Sequence, residues 1–159
     1  MILSLYDIEY HYQITNKEEH MSRLGIVYWT GGGNTEELAN KAKECAEANG
    51  LEVYISTVED LDRNKFFESD FYAFGSPAQG SEELAPEIQD LMDSIENEID
   101  GKKVFMFGSF GWGDGEYMDE WKSIMNDKNA IIAHEPVVCL EAPDDEAFSS
   151  IEEAVKSFV

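Results

Sequence analysis

Short apolar runs alternate with helical patterns along most of the chain, and that alternation constrains the fold more than any other feature. LGIVYW (24–29), FYAFGS (71–76) and KKVFMFGS (102–109) are short and nearly continuously apolar, the pattern of strands covered on both faces. LEVYIST (51–57) alternates as a half-buried edge strand does, and AIIAHEPVVCL (130–140) supplies a fifth run. In the helical stretch 34–50, Leu38, Ala42, Cys45 and Ala46 share one face, and Gly50 is a natural stop. Asn34 with Glu37 three residues on reads as a capping box. Further helices are expected from about Glu82 to Asn97 and over 117–126. Phe148, Ile151, Val155 and Phe158 space a closing one. Such an order predicts an α/β fold with right-handed crossovers: a doubly wound three-layer sandwich around a five-stranded parallel sheet. Ligands of such sheets bind at the carboxyl ends of strands near the switch point, which singles out loops 30–35, 76–82 and 109–116.

The 159 residues suffice for one domain with a full core. Residues 21–159 are expected to make one domain, and 1–20 read as an extension of different texture, with Tyr6, Tyr10 and Tyr12 close together. The extension reads as a docking arm, an extra strand, or translated upstream sequence with Met21 as the functional start; the last is the expectation. It lacks the basic start, apolar core and cleavage site of a signal peptide. No apolar run is long enough to span a bilayer, so no membrane insertion is expected. Cys45 and Cys139 fit no metal or redox spacing and are expected to be reduced packing residues, which favours a cytoplasmic location.

The first of the three loops lies in YWTGGGNTEE (28–37), where three consecutive glycines follow a strand and precede a helix. Glycine is costly to order, so three together point to a close backbone approach. Successive N–H groups of Gly31, Gly32 and Gly33 can form an anion-binding nest, reinforced by the dipole of the helix that follows. Thr30, Asn34 and Thr35 add side-chain donors. The loop has neither the Lys of a nucleoside-triphosphatase loop nor the spacing of a dinucleotide fingerprint, and it offers no cysteine nucleophile. It therefore reads as a loop that binds phosphate without attacking it, with a ligand-free tight turn as the other reading.

The net charge is −23, with 34 acidic residues against 11 basic ones. Nucleic acid is thereby excluded as a partner, because its phosphates need Lys and Arg. The acidity serves either as a solubilising surface or for docking on basic patches of partners.

IVYWTGGGNTEE resembles the phosphate loop of flavodoxins, whose usual form is [ST]-x-T-G-x-T, and especially that of the short-chain flavodoxins of anaerobes. GSPAQGSEEL (75–84) is similar to their second flavin loop and FGSFGWGDGEYMDEW (107–121) to their third; the likeness covers about residues 22–159. No long insertion interrupts the last strand, as in the short-chain form. The resemblance implies the strand order 2-1-3-4-5 and a non-covalently bound flavin mononucleotide (FMN). The FMN-binding residues are then Thr30 through Thr35 in the first loop; Pro77, Ala78, Gln79, Gly80, Ser81 and Glu82 in the second; and Ser109, Phe110, Gly111, Trp112 and Gly113 in the third. Trp112, between glycines in a polar loop, is expected to stack on one ring face rather than in the core. Phe110 packs nearby, and Asp114 is a solvated turn residue. Gly80 stands at the first central position of a turn and permits a positive φ there. By the resemblance, the Gly80–Ser81 peptide flips on one-electron reduction to offer its carbonyl to flavin N5, and Glu82 accepts from flavin N3–H. A helix-start acid is the plainer reading of Glu82. Two departures from the family pattern stand out: Gly32 replaces the usual Thr, and Gln79 replaces the usual apolar residue beside the inner ring face.

These readings imply a one-electron shuttle cycling mainly between the semiquinone and hydroquinone of FMN, with no catalytic acid, base or nucleophile and no metal. Its partners are expected to be flavodoxin- or ferredoxin-dependent oxidoreductases with basic docking patches, and it is expected to be a monomer. The alternative is an FMN-dependent NAD(P)H or quinone reductase of the same fold, which would need an open ring face where Trp112 stands. A receiver domain would need acidic residues that YWTGGG and FGSPAQG do not provide, and a flavin-free interaction module remains if Gly32 weakens binding too far.

Overall fold

A computed structural model describes Ser4, Leu5 and residues 21–159 of the chain. The readings made for the extension 1–20 lie outside these residues, apart from those two positions. Four strands run parallel: β1 (Arg23–Tyr28), β2 (Glu52–Thr57), β3 (Phe71–Gly75) and β6 (Lys103–Phe110). The helices are α1 (Asn34–Ala48), the short α2 (Arg63–Phe66), α3 (Pro86–Ser94), α4 (Tyr117–Asp127) and α5 (Asp145–Lys156). Strand order is β2-β1-β3-β6, so the chain steps one way from β1 to β2 and then crosses to the other side, placing the switch between β1 and β3.

Alternation along the strands divides the core into two. Leu24, Ile26, Ala73, Phe105 and Phe107 face α1 and α5, whose Leu38, Ala42, Cys45, Ile151 and Val155 are buried against them. Val27, Tyr72, Phe74, Val104 and Met106 face the opposite layer, where Phe66, Ile88, Met92, Trp121 and Met125 pack. This is the expected three-layer sandwich. Cys45 and Cys139 are buried free thiols. Burial, then Asp144 and Glu37, pushes the Cys139 thiol up to about 11.

Three details correct the sequence reading. The fifth strand is broken: β7 (Ile131–Ile132) pairs with the start of β6 and β8 (Val137–Leu140) with its end. Register slips by two residues between Lys103↔Ile131 and Phe107↔Val137, so six strands fill five positions. Pro136, in the gap, has no N–H to give to a continuous ladder. Secondly, Asn34 does not cap α1: the cap is Gly33, in the left-handed region at φ 98°, which has no side chain to offer the first-turn amides. Thirdly, the helix expected from Glu82 begins at Pro86, a residue suited to a first helical position. Residues before it form a hairpin of β4 (Ala78–Gln79) and β5 (Glu83–Leu84), and Glu82 itself stands at φ 57°. The stop after α1 is as expected, with Gly50 at φ 82°. Among the described residues no helix is long and apolar enough to cross a membrane.

Close strand approach depends on glycine at β3's end. A Cβ at Gly75 would overlap the fully buried Phe107 ring. Gly75→Ala should therefore destabilise the fold by about 1–3 kcal/mol, as overpacking does. Thermal unfolding measures it, and an unchanged midpoint would contradict this packing.

Candidate functional site

The three loops singled out from the sequence leave the carboxyl ends of three adjacent strands. Backbone bonds carry the sheet to its last residues there: Trp29 N–H donates to Gly75 O at 3.0 Å, and Ser76 N–H to Phe107 O at 3.0 Å.

In the first loop, Thr30 Oγ1 accepts the Gly33 N–H at 3.0 Å and folds the glycines into a compact turn. Gly33 O accepts from Glu37 N–H at 3.1 Å, the opening bond of α1. The N–H groups of Asn34, Thr35 and Glu36 thus have no intrahelical acceptor, and they sit at the positive end of the helix dipole. Thr35 is 1% exposed, and its Oγ1 has no hydrogen-bond partner. An unsatisfied buried hydroxyl costs about 1–3 kcal/mol, so its presence calls for a ligand acceptor that completes it. Open amides plus an orphaned hydroxyl fit the oxygens of a phosphate group. Gly32 is exposed, has no atom within 4 Å of where a Cβ would stand, and needs no positive φ. The loop thus forgoes a side-chain donor there without steric reason.

The second loop is a hairpin rather than a simple loop. Pro77, Ala78 and Gln79 are half-buried; Gly80 and Ser81 are exposed at its tip, with Gly80 at φ 52° as the turn requires. A Cβ at Gly31 would stand 3.9 Å from Gln79 Nε2 and 3.2 Å from the Trp29 ring, which brings the first and second loops together. Glu82 reaches the third loop: its Oε1 accepts Gly115 N–H at 3.3 Å, and its carboxylate fills the space a Cβ at Gly113 would need. The carboxylate keeps lone pairs for a further donor.

The third loop starts later than expected. Ser109 and Phe110 belong to β6, paired with Cys139 and Leu140, and Ser109 is only 6% exposed. Phe110 packs at 3.3 Å from the Cβ position of Gly115. Gly111, Trp112, Gly113 and Asp114 are exposed, and Trp112 reaches 65% exposure, which leaves its indole open for a planar ring. Trp29, half-buried beneath the glycine turn, was not singled out from the sequence; its place directly after a buried strand was the available signal.

The surroundings are uniformly acidic. Stretches 29–40, 66–101 and 104–121 contain no Lys or Arg, whereas Arg23, Lys102 and Lys103 sit at the opposite edge of the sheet. The Tyr28 phenol is held above its ordinary value by burial first, then by Glu36 and Glu59.

Comparison with known proteins bears on this arrangement. The profile of the family described as Flavodoxin matches residues 26–156. A flavodoxin of Megasphaera elsdenii is 39% identical over 121 residues, 76% of this chain and 88% of that protein. One of Clostridium beijerinckii is 34% identical over 130 residues, 81% of this chain and 94% of that protein. The solution structure of two-electron reduced Megasphaera elsdenii flavodoxin superposes with a TM-score of 0.76 at 37% identity, covering 84% of this chain and 98% of that one.

Thr35→Val keeps the shape and removes the orphaned hydroxyl. The ligand-free variant should be no less stable in denaturant unfolding, while affinity for a phosphate-bearing ligand falls about tenfold. A destabilised variant with full affinity would place the hydroxyl in an internal bond instead.

Proposed function

This chain belongs to the flavodoxin family, whose members are electron carriers that bind FMN. On that premise we propose that it holds the FMN phosphate at residues 30–35 and the flavin ring between the second and third loops. In this reading it works at low potential as a cytoplasmic monomer that meets redox enzymes through an acidic surface. The observation that carries the reading is the buried, unpartnered Thr35 hydroxyl beside the open first turn of α1.

Bound FMN would supply one-electron transfer, and the chain's residues would do the rest. The amides of Asn34, Thr35 and Glu36, with the Thr35 hydroxyl, would hold the phosphate by oriented dipoles. The exposed Trp112 would cover one ring face and exclude water from it. Gly80, whose positive φ suits a mobile turn, would offer its carbonyl oxygen to a proton gained at N5, and Glu82 would accept from N3–H. Glu82, Asp114 and Glu116 lie in the loops that would hold the ring end, in stretches without Lys or Arg, so added negative charge on the ring would be disfavoured and the potential lowered. Gln79 adds a polar amide beside the inner face. The buried free thiols suit a reducing compartment.

The cation-free carboxyl edge supports docking to partners with basic patches, such as flavodoxin- or ferredoxin-dependent oxidoreductases. Hydride transfer from a reduced nicotinamide to the ring would be disfavoured by Trp112, which would cover the face a hydride donor needs.

FMN titration of the flavin-free chain tests the reading directly. FMN should bind at least about tenfold tighter than riboflavin, and Gly32→Thr should tighten FMN by a similar factor while leaving riboflavin unchanged. Equal affinities for the two flavins would remove the phosphate site. Electron transfer from the loaded protein to a basic partner should slow as salt rises from about 0.01 to 0.5 M, because screening shortens the reach of surface charge. Rates indifferent to salt would sink the docking surface, and rapid NADPH oxidation by the protein alone would favour the reductase.

A further inference from the structure

Ser76 follows β3 directly and is completely buried. Each of its hydrogen-bonding groups is engaged. Its N–H donates to Phe107 O at 3.0 Å, and its carbonyl accepts from the Tyr117 hydroxyl at 2.8 Å. Its own hydroxyl donates to Pro77 O at 2.9 Å and accepts Ala85 N–H at 3.0 Å. Residues 76 and 85 are the two ends of the segment that carries β4, the 80–82 tip and β5. One serine therefore closes the base of the hairpin, and Tyr117 fastens that base to the first turn of α4. Gly108 of β6 makes room, since a Cβ there would overlap both Ser76 O and the Tyr117 hydroxyl. Burial, with Cys139 as a lesser cause, holds the Tyr117 phenol far above its ordinary value, so it remains a donor.

The tip contrasts with this base. Gly80 and Ser81 are exposed, and Gly80 and Glu82 both stand in the left-handed region. The tip's side-chain hydrogen bond to another loop is the longer Glu82–Gly115 contact at 3.3 Å. A loop with a fully satisfied, buried base and a lightly held tip moves at the tip.

We propose that Ser76 and Tyr117 form a positioning hub that fixes the base of residues 77–85 and confines the loop's conformational change to the 80–82 tip. Neither residue is a catalytic residue; each acts through the hairpin. Without the Tyr117 hydroxyl, Ser76 O is a buried acceptor with no partner, and the base gains freedom that the tip then shares. The consequence for the cofactor rests on the FMN site proposed above; the consequence for the loop does not.

Amide hydrogen exchange on the flavin-free chain tests the loop, using Tyr117→Phe, Ser76→Ala and the double variant. Exchange at residues 78–85 should accelerate about tenfold or more in each single variant, with the amides of β1 and β2 unchanged. The double variant should add little to the larger single effect, as coupled residues do. Tyr72→Phe is the control, because the Tyr72 hydroxyl donates to Ser69 O at 2.9 Å in a bond of the same kind at the other end of β3. It should leave exchange at 78–85 alone. In the FMN-loaded protein, Tyr117→Phe should change the gap between the two one-electron midpoint potentials, and Tyr72→Phe should not. Exchange at 78–85 that stays at the parent rate, or that rises equally across the sheet, overturns the hub. A gap that moves no more than in Tyr72→Phe overturns its effect on the cofactor. Failure of the parent chain to bind FMN strikes the proposed function while leaving the exchange result to stand.

Discussion

Two backbone bonds set the geometry on which everything at the carboxyl edge depends: Trp29 N–H to Gly75 O and Ser76 N–H to Phe107 O. They continue the parallel ladder just past β1 and β3, so three loops leave the sheet from adjacent points instead of fraying apart. Their formation requires strands buried on both faces, because a parallel sheet open to water on one face is rarely stable. The two core layers supply that burial, and Gly75 and Gly108 supply the close approach. The site is thus a product of topology before it is a product of its own side chains.

An acidic protein can hold a phosphate because range decides which electrostatic term wins. In water a unit charge at 4 Å contributes about 1 kcal/mol and less with distance and salt. Amides in the first turn of α1 and the Thr35 hydroxyl would act in direct contact, where a charge-assisted bond is worth about 1.5–3 kcal/mol. The carboxylates of Glu36 and Glu37 project into solvent from the same turn and are screened. Over longer distances the balance reverses: with the basic residues Arg23, Lys102 and Lys103 at the far edge, the field seen by an approaching protein is that of the carboxylates.

The fold was legible because its signals are long and periodic. Apolar runs marked β1, β3 and β6, and the 3.6-residue spacing of Leu38, Ala42 and Cys45 marked α1. The loops were legible because glycine is rare where the chain has no conformational need for it. Signals shorter than a helical turn failed. β4 and β5 hold two residues each, too few for alternation to show, and Glu82 reads as a helix-start acid until its positive φ is seen. Asn34 looked like a cap because local sequence does not reveal that Gly33, in the left-handed region, already opens the helix by accepting the Glu37 N–H. The Ser76–Tyr117 bond spans 41 residues, so only the folded chain brings it into view.

Affinity and potential are separable in this architecture because they are governed at different ends of the ligand by different elements. The glycine turn and α1 would grip the phosphate, which does not change on reduction. A donor gained or lost at Gly32 therefore alters binding of every redox state alike and shifts no equilibrium between them. The hairpin tip and Glu82 would meet the ring, where charge and protonation do change, and only such unequal contacts move a potential. Gln79 stands between these regions, its amide near Gly31 on one side and the hairpin on the other. A substitution there can act on both quantities, whereas Gly32 can act on one. The two departures from the family pattern would therefore differ in kind: the first would bear only on how much cofactor is held, the second also on what the held cofactor can reduce.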